Sequence, residues 1–320
     1  MRKVLSLLWI IVFAIFGCGE REKPFKPNLF VSNLTGHYVS AFVLTPSVEP
    51  ILSGTISGDG KIAGPYGMFD DLHTKELIIS SWWNNTIFFF RLRDGKFEVS
   101  RVLGGDKTKF DGSKGICIPD GSDEMFIINI WANRITVFPR EASGNLPPVR
   151  VIEGPSTALF WPAGIACRGL KDEIAVSNWL GHSITFYSTE ASGDTFPTRI
   201  LQGPNTFLSY PEGIAIDVER EEMFVASCGL DAVVSYPLSA LGDVSPLRII
   251  KGENTLLRCP VGIGIYEDLL FVANMLGNSV TVYKKISSGD VSPIIVISED
   301  DAHFMNPTGL LITEIFTGYQ

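Results

Sequence analysis

Side chains able to carry catalysis are few and scattered along this chain of 320 residues. The four histidines, His37, His73, His182 and His303, do not have the spacing of metal ligands. No Gly-x-Ser-x-Gly segment, paired-carboxylate motif or phosphate-binding loop occurs in a suitable context. The sequence therefore favours a binding protein over an enzyme, leaves an enzyme open, and predicts neither a bound metal ion nor a cofactor.

Tryptophans form the group with the clearest binding chemistry, because large amphipathic rings are typical anchors of recognition surfaces. Outside the first eighteen residues the chain contains Trp82, Trp83, Trp131, Trp161 and Trp179. The same rings would also suit packing between sheets, so their exposure decides between the two interpretations. The elements that carry them determine which rings can share one surface.

A repeated segment divides the chain into six units. It has the form Pro-x-Gly followed by an apolar residue, and it recurs at intervals of 47 to 49 residues. The six opening segments are Pro65-Tyr66-Gly67, Ser113-Lys114-Gly115, Pro162-Ala163-Gly164, Pro211-Glu212-Gly213, Pro260-Val261-Gly262 and Pro307-Thr308-Gly309. Each is followed by the same order of apolar runs and turns, with four strand signals in a unit. This period predicts blades of four antiparallel strands in a β-propeller.

The last unit lacks three of its strands, because only a short tail follows Pro307-Thr308-Gly309. The missing patterns occur at the other end of the chain, in residues 29–33, 37–43 and 50–54. A blade built from both termini closes the ring and removes an exposed edge strand. The sequence thus predicts an all-β, six-bladed propeller over residues 29–320, with its last blade closed by N-terminal strands.

The N-terminus resembles a bacterial lipoprotein signal. Two basic residues precede a thirteen-residue apolar run, which is too short for a membrane-spanning helix of roughly 20 residues, and a small residue precedes Cys18. The resemblance implies a signal peptide over residues 1–17, lipid attachment at Cys18 and a tether over residues 18–28. An ordinary signal peptide with an incidental cysteine is the alternative. The expected location is the bacterial cell envelope, and Gly19 favours the outer membrane if the organism has two membranes.

The charge of the chain limits its partners. Without Arg2 and Lys3, which belong to the signal, 24 basic and 35 acidic residues remain. No basic run occurs, which argues against nucleic acid and against a second, electrostatic membrane contact. We therefore expect a monomer that meets the membrane through its lipid anchor only.

The repeat resembles the NHL and YVTN-type propeller repeats. The matching elements are Pro-x-Gly-Ile-Ala, a Phe-Val-Ala-Asn-like strand, and an Asn before an alternating strand, as in Asn133-Arg-Ile-Thr-Val-Phe. NHL repeats usually carry an acidic residue after the second strand. This chain has Asn or Ser there, at Asn33, Ser81, Asn129, Asn178, Ser227 and Asn274. The resemblance implies six-bladed rings used mainly as binding platforms, with a few enzymes among the wider relatives.

Antiparallel topology predicts that all five tryptophans lie on one face. The start of a blade's first strand lies at the same end as the turn between its second and third strands. The opening segments and these turns therefore share a face, named here the top face. We predict a ligand-binding surface there, formed by Trp82, Trp83, Asn85, Trp131, Asn133, Trp161, Trp179, His182 and Glu212. The Asn and His residues among them also suit the plain structural role of bonding the turn backbone.

Three functional hypotheses follow. The first is a membrane-anchored propeller that binds an envelope protein or a glycan through the top face. The second is a calcium-dependent, lactonase-like hydrolase, because six-bladed lactonases bind calcium on the axis through Glu, Asn and Asp. A hard cation needs roughly six to eight oxygens, and the candidates here are Glu212, Asp231, Asn178 and Asn274. The third is a structural envelope scaffold that uses the rim and the bottom of the ring.

Four cysteines remain besides Cys18. Cys228 lies in the blade-four turn and Cys259 beside the opening of blade five, and the entry loop passes close to that turn. An oxidising compartment would allow a disulfide between them, with two free thiols as the alternative. Cys117 and Cys167 lie one position out of step on the first strands of adjacent blades. The sequence therefore predicts that this second pair stays unbonded and packs as small apolar side chains.

Overall fold

The structure of the chain is a computed structural model that describes residues 27–45 and 50–316. The predicted signal peptide, Cys18 and most of the predicted tether lie outside the described residues.

Among residues 27–45 and 50–316, twenty-four strands make up nearly all the regular structure. They are β1 (Asn28–Asn33), β2 (Tyr38–Leu44), β3 (Pro50–Ile56), β4 (Pro65–Asp71), β5 (Glu76–Ser81), β6 (Thr86–Arg93), β7 (Lys96–Gly104), β8 (Ser113–Cys117), β9 (Glu124–Asn129), β10 (Arg134–Pro139), β11 (Arg150–Ile152), β12 (Pro162–Ala166), β13 (Glu173–Asn178), β14 (Ser183–Ser188), β15 (Arg199–Gln202), β16 (Pro211–Asp217), β17 (Glu222–Ser227), β18 (Ala232–Pro237), β19 (Arg248–Lys251), β20 (Pro260–Tyr266), β21 (Leu269–Asn274), β22 (Ser279–Lys284), β23 (Ile295–Ile297) and β24 (Pro307–Thr313). The short helices are 3-10 turns at Asp106–Thr108, Pro155–Thr157, Pro204–Thr206, Cys228–Leu230 and Glu253–Thr255, and one α-helical turn at Glu299–Ala302.

The strands form six four-stranded antiparallel sheets, so the predicted all-β, six-bladed propeller is confirmed. Blades one to five take their strands in chain order, as in β4-β5-β6-β7. Blade six has the order β24-β1-β2-β3, with Asn28 opposite Thr313 and Asn33 opposite Pro307. The predicted closure by N-terminal strands is therefore also confirmed, and each first strand has a neighbour on both sides of the ring.

The apolar core is divided among the six seams between adjacent blades. At the seam of blades two and three, Phe126 and Val137 of one blade pack against Val176 and Tyr187 of the other. The remaining five seams have equivalent clusters, the one between blades six and one joining Phe30 to Phe90. The second strands are buried on both faces, as their continuous apolar runs indicate.

The third strands are buried although their sequences alternate between apolar and polar residues. Strands β10, β14 and β18 are exposed only at their ends, whereas alternation is typical of strands with one face near the surface. Neighbouring blades cover both faces of each sheet out to the third strand. The polar residues of the alternation are bonded internally, as where Asn129 donates to Thr136 Oγ1 over 3.0 Å. The outermost strands, such as β7, are half exposed.

In five of the six opening segments, all but that of Gly115, the glycine is required by contact between blades. A Cβ on Gly164 would lie 2.3 Å from the Glu212 carbonyl oxygen of the next blade, and one on Gly309 would lie 1.9 Å from that of Tyr66. Real Cβ contacts are never this short, so only glycine lets the first strands approach closely enough to close the ring.

Candidate functional site

The opening segments and the turns between second and third strands do share one face. In blade one the backbone N–H of Trp82 donates to the Gly64 carbonyl over 3.0 Å, and in blade three that of Trp179 donates to Trp161 over 2.9 Å. Related backbone bonds in the other blades start from Ile130, Gly229, Met275 and Leu34. The top face therefore consists of these two kinds of segment in all six blades.

The polar residue that ends each turn bonds to the next blade. Asn133 accepts the backbone N–H of Trp161 over 2.6 Å, and His182 accepts that of Tyr210 at Nδ1 over 3.1 Å. Equivalent bonds are accepted by Asn85, Asp231, Asn278 and His37. The acceptor atoms of Asn85, Asn133 and His182, three of the predicted binding residues, thus hold adjacent blades together.

The residue before each opening segment has a left-handed backbone. In blades one and two that residue is Gly64 or Gly112, which adopts positive φ without strain. In blades three and four it is Trp161 (φ 54°) or Tyr210 (φ 49°). Holding a bulky residue there costs on the order of 1–3 kcal/mol. Backbone geometry alone would favour glycine at these two positions, as in blades one and two.

Two rows of aromatic rings cross the top face. The first row runs from Tyr66 through Trp82 to Trp131, with ring centroids 5.7 Å and 5.4 Å apart. The second row begins at Trp161, passes through Trp179 and ends at Tyr210 and His182, with centroid distances of 5.7, 4.6 and 4.7 Å. The rings at the sheltered positions, Trp82, Trp161 and Trp179, are partly buried.

Trp83 and Trp131 are the open rings of this surface. Trp83 is 47% exposed and packs edge-on against His37 of blade six, with centroids 4.8 Å apart. Trp131 is 48% exposed at the end of the first row. The structure therefore brings eight of the nine predicted binding residues to one face, with two tryptophans presented to solvent.

Glu212, the ninth, lies at the channel mouth in a cluster of buried polar groups. Its Oε2 is 2.8 Å from Lys114 Nζ and accepts the Tyr66 hydroxyl over 3.2 Å. The ammonium also lies 4.2 Å from the centre of the Tyr66 ring. These are the middle residues of three opening segments, and all three are buried.

The surroundings of this cluster shift two pKa values. Burial lowers the pKa of Lys114, although the negative charge of Glu212 works in the opposite direction. Burial raises the pKa of Tyr66 well above its ordinary value, and Glu212 adds to that rise. Sequence reasoning missed the Lys114–Glu212 pair. Its signal was two opposite charges at the same position of different repeats.

An apolar cluster, named here the apolar lid, packs beside these polar groups and shares Tyr66 with them. Tyr66, Cys259 and Val261 are buried there, and partly buried side chains packed against them complete the lid: Leu34, Trp82, Cys228 and Met275. The channel contains a cavity of about 110 Å³ lined by first-strand residues, and a second cavity of about 210 Å³ that shares Met68 and Ile165 with it. Small-molecule sites typically occupy roughly 300–1,000 Å³, so each cavity alone is small for such a ligand. The geometry thus offers a broad surface on the top face and a channel of limited volume at the axis.

Each of the four candidate calcium ligands is bonded to another group of the protein. Glu212 is paired with Lys114, while Asp231 accepts the backbone N–H of Cys259 over 2.6 Å. Asn178 and Asn274 are buried and accept the backbone N–H groups of Phe160 and Arg258. Among residues 27–45 and 50–316, no group of three or more His, Cys, Asp or Glu side chains is placed to hold a metal ion.

The cysteines form two bonded pairs between blades. Cys228 and Cys259 are joined, with Cα atoms 4.0 Å apart, beside the apolar lid. Cys117 and Cys167 are joined as well, with Cα atoms 6.1 Å apart, so the expectation that they stay unbonded was wrong. Successive side chains on a strand point to opposite faces of a blade. Adjacent blades meet with opposite faces, so an offset of one position brings these two cysteines together.

In the part of the chain that the structure describes, no helix is both long and apolar enough to cross a membrane.

Comparison with known proteins supports the fold and no closer relationship. No protein-family profile matches the chain, and no curated protein matches it. Among solved structures, a chain of the nidogen/laminin complex is 15% identical with a TM-score of 0.67, covering 90% of this chain and 98% of that one. Two proteins, each described as a "putative 6-phosphogluconolactonase", are also similar. The one from Bacteroides fragilis NCTC 9343 is 12% identical (TM-score 0.63, 90% and 98% covered), and the one from Bacteroides uniformis ATCC 8492 is 14% identical (0.60, 89% and 84%).

Proposed function

We propose that this chain is an envelope-anchored, NHL-like propeller that binds a partner or ligand through its top face. The observation that carries the proposal is the pair of half-exposed tryptophans, Trp83 and Trp131, on a face crossed by two rows of aromatic rings. Exposed tryptophans lose favourable burial that a bound partner would restore. The nidogen/laminin complex offers a precedent for a propeller of similar fold in a protein assembly.

The path of the N-terminal strand supports an orientation in which the top face points away from an N-terminal anchor. Strand β1 ends at Asn33, beside the top-face turn of blade six, and therefore begins at the opposite end of the blade. At that end the Pro27 carbonyl accepts the Leu44 backbone N–H over 2.9 Å. A tether over residues 18–28 would leave from the bottom, so a membrane at Cys18 would lie on the side away from Trp131.

The anchoring part of the proposal has a separate test. Cys18→Ser should release the protein from the membrane fraction, because lipid attachment requires that thiol. The unaltered chain, prepared in parallel, should sediment with membranes. Continued sedimentation of the variant would contradict the proposed anchor.

The binding part is tested with the Cys18→Ser protein and two tryptophan variants. Trp131→Ala should leave the free energy of unfolding within about 1 kcal/mol of the parent, because the ring is half exposed. Trp179→Ala should cost ~2–4 kcal/mol, because that ring lies between Trp161 and Tyr210. Ligand screening against envelope extract should then give a partner whose affinity falls at least tenfold in Trp131→Ala. A partner indifferent to Trp131 and Trp83 would contradict the proposal.

The hydrolase alternative receives no support from the site geometry, because Glu212 is neutralised by Lys114 beside the apolar lid. It remains directly testable. Calcium added to the purified protein should leave the thermal midpoint unchanged, whereas a calcium-dependent rise would favour the hydrolase. The scaffold alternative predicts that partners bind with unchanged affinity to every variant with a top-face substitution.

A further inference from the structure

Two histidines take part in the bonds that join neighbouring blades on the top face. Each of these bonds runs from a backbone N–H at the start of one blade to the residue that ends the turn of the preceding blade. In four blades the acceptor is a side-chain oxygen, which belongs to Asn85, Asn133, Asp231 or Asn278. In blades six and three it is Nδ1 of His37 or His182. All six residues have a left-handed backbone, with φ between 44° and 60°, so the two imidazoles occupy the same place as the other acceptors.

An imidazole ring can accept this bond only while it is neutral. When Nδ1 accepts an N–H, the single ring proton lies on Nε2. The imidazolium ion carries a proton on both nitrogens and can only donate. Turning the ring over would present a C–H group to the backbone N–H. Protonation of His37 or His182 therefore removes the bond, whereas the carboxamides of Asn85 and Asn133 have no such protonation step.

The two histidines border the part of the top face that carries the tryptophans. His37 lies at the seam between blades six and one and packs edge-on against Trp83, with ring centroids 4.8 Å apart. His182 lies at the seam between blades three and four, and its ring is 4.7 Å from that of Tyr210. These two seams are opposite each other across the ring. Blades one to three lie between them and contain every tryptophan of residues 27–45 and 50–316.

The apolar cores of these two seams do not depend on the histidines. Phe30 packs with Phe90 between blades six and one, and Phe186 packs with Met223 between blades three and four. Both disulfides lie at other seams. Loss of the histidine bonds therefore loosens the loops of the top face and leaves the ring closed.

The loops on either side of the His182 turn carry little charge. Over residues 155–161 and 203–210 they contain no Asp, Glu, Lys or Arg, and Tyr210 is their one titratable residue. Two carboxylates from other segments are bonded near the starts of these loops, those of Asp194 and Asp243. Each of them accepts a backbone N–H of its loop. The imidazole of His182 is half-buried in this surrounding.

The surroundings of His37 are more open. The loop that leads to Gly64 contains Asp59 and Lys61, both exposed. On the other side of the turn, the exposed His303 accepts the hydroxyl of Tyr38 at its backbone carbonyl. The side chain of His37 is itself exposed. Within the described residues neither His37 nor His182 forms an ion pair, so no paired carboxylate fixes the charge of either ring.

We propose that His37 and His182 make the top face sensitive to pH. Their protonation releases the backbone N–H groups of Gly64 and Tyr210 and loosens both ends of the surface that carries the tryptophans. Histidine ordinarily changes its charge near pH 6.5, so the surface has the described arrangement above that range and an altered one below it. A partner bound by the top face is consequently held more weakly in acid, and this last step alone rests on the proposed function.

Hydrogen exchange of single amides tests the inference without any ligand. The probes are the N–H groups of Gly64 and Tyr210 in the Cys18→Ser protein, followed by NMR at about pH 7.5 and about pH 5. Their protection factors, corrected for the intrinsic exchange rate at each pH, should fall about tenfold in acid, because each N–H loses its acceptor.

The chain supplies a matched control for each probe. The Gly112 N–H bonds to Asn85 and the Trp161 N–H bonds to Asn133, so a glycine and an aromatic residue have the same backbone setting with a carboxamide acceptor. Their protection factors should be the same at both pH values. Equal losses in acid at the probes and at these controls would overturn the inference.

Two variants give each histidine the acceptor that the chain uses elsewhere. His182→Asn should make the protection of the Tyr210 N–H independent of pH, and His37→Asn should do the same for Gly64. His73→Asn, on the opposite face, should change neither. Retention of the full loss in acid by the first two variants would overturn the inference. That outcome leaves the effect of Trp131→Ala on partner binding unaffected, so failure of this inference is distinguishable from failure of the proposed function.

Discussion

Lys114 and Glu212 meet across the central channel, with Nζ 2.8 Å from Oε2 and both side chains buried. They belong to blades two and four, so their bond passes the opening segment of blade three. The residue at the matching position there is Ala163, whose small side chain leaves room for the pair. The ion pair thus ties together two blades that do not share a seam.

Removing one partner of this pair should be costly. Glu212→Gln leaves the Lys114 ammonium buried without a countercharge, and breaking a buried pair in this way typically costs ~3–5 kcal/mol. Urea denaturation of the variant and its parent measures the difference. The matched control is the double variant Lys114→Met with Glu212→Met, which removes both charges and should recover most of the loss. A single-variant cost below about 1 kcal/mol would show that the pair is not buried as described.

Ring closure should depend on Gly309. Its Cβ position lies 1.9 Å from the Tyr66 carbonyl oxygen, where blade six meets blade one. Gly309→Ala must push these first strands apart, and such overpacking costs ~1–3 kcal/mol or more. Gly104→Ala is the control, because a Cβ there would meet the Thr86 side chain at 3.1 Å and no closer atom. Equal thermal midpoints for the two variants would argue against the tight closure.

The repeat period was sufficient to predict the fold, because each unit has the same opening segment and the same order of strands and turns. Pro-x-Gly openings, apolar second strands and the N-terminal patterns that complete blade six all have local signals. The position of the top face followed from antiparallel order alone. For these features, segments that follow one another along the chain also lie beside one another in space, either within a blade or in adjacent blades.

Relationships across a seam or across the channel were harder to predict. Cys117 and Cys167 were judged by alternation along one strand, whereas their pairing depends on which faces of two blades meet. The Lys114–Glu212 bond depends on the radius of the channel, which no local pattern encodes. Phe207 and Leu276 are exposed, whereas their apolar identity alone indicates burial.

The free energy of unfolding should decrease at alkaline pH because buried tyrosines ionise less readily in the folded state. Burial raises the pKa of Tyr283 to about 12, whereas an unfolded tyrosine ionises near pH 10. Between these values the unfolded state binds fewer protons than the native state, so the free energy of unfolding decreases as pH rises. The stabilising contribution is therefore complete below pH 10 and is lost towards pH 12, at up to about 1.4 kcal/mol per pH unit for one tyrosine.

Tyr283→Phe tests this dependence. The variant loses the bond from the hydroxyl to the Thr255 carbonyl, at a cost of about 1 kcal/mol near neutral pH. The free energy of unfolding of the variant is measured by urea titration from pH 9 to 11.5. It should fall less steeply with pH than that of the parent, because the variant lacks the one proton that Tyr283 releases on unfolding. Parallel curves for variant and parent would mean that this tyrosine ionises equally in both states.

Both cysteine pairs should be oxidised in the exported protein. Free-thiol counting under denaturing conditions on the Cys18→Ser protein should give no reactive thiol, because Cys117–Cys167 and Cys228–Cys259 account for the remaining four. The Cys117–Cys167 bond joins residues 50 positions apart. Its loss should reduce the free energy of unfolding by about 2–4 kcal/mol, mainly because the unfolded chain gains conformational freedom. Cys117→Ala with Cys167→Ala should therefore unfold at lower urea than the parent and lose less on reduction with dithiothreitol. Two free thiols in the parent would remove one of the pairs, and mapping the alkylated residues would show which.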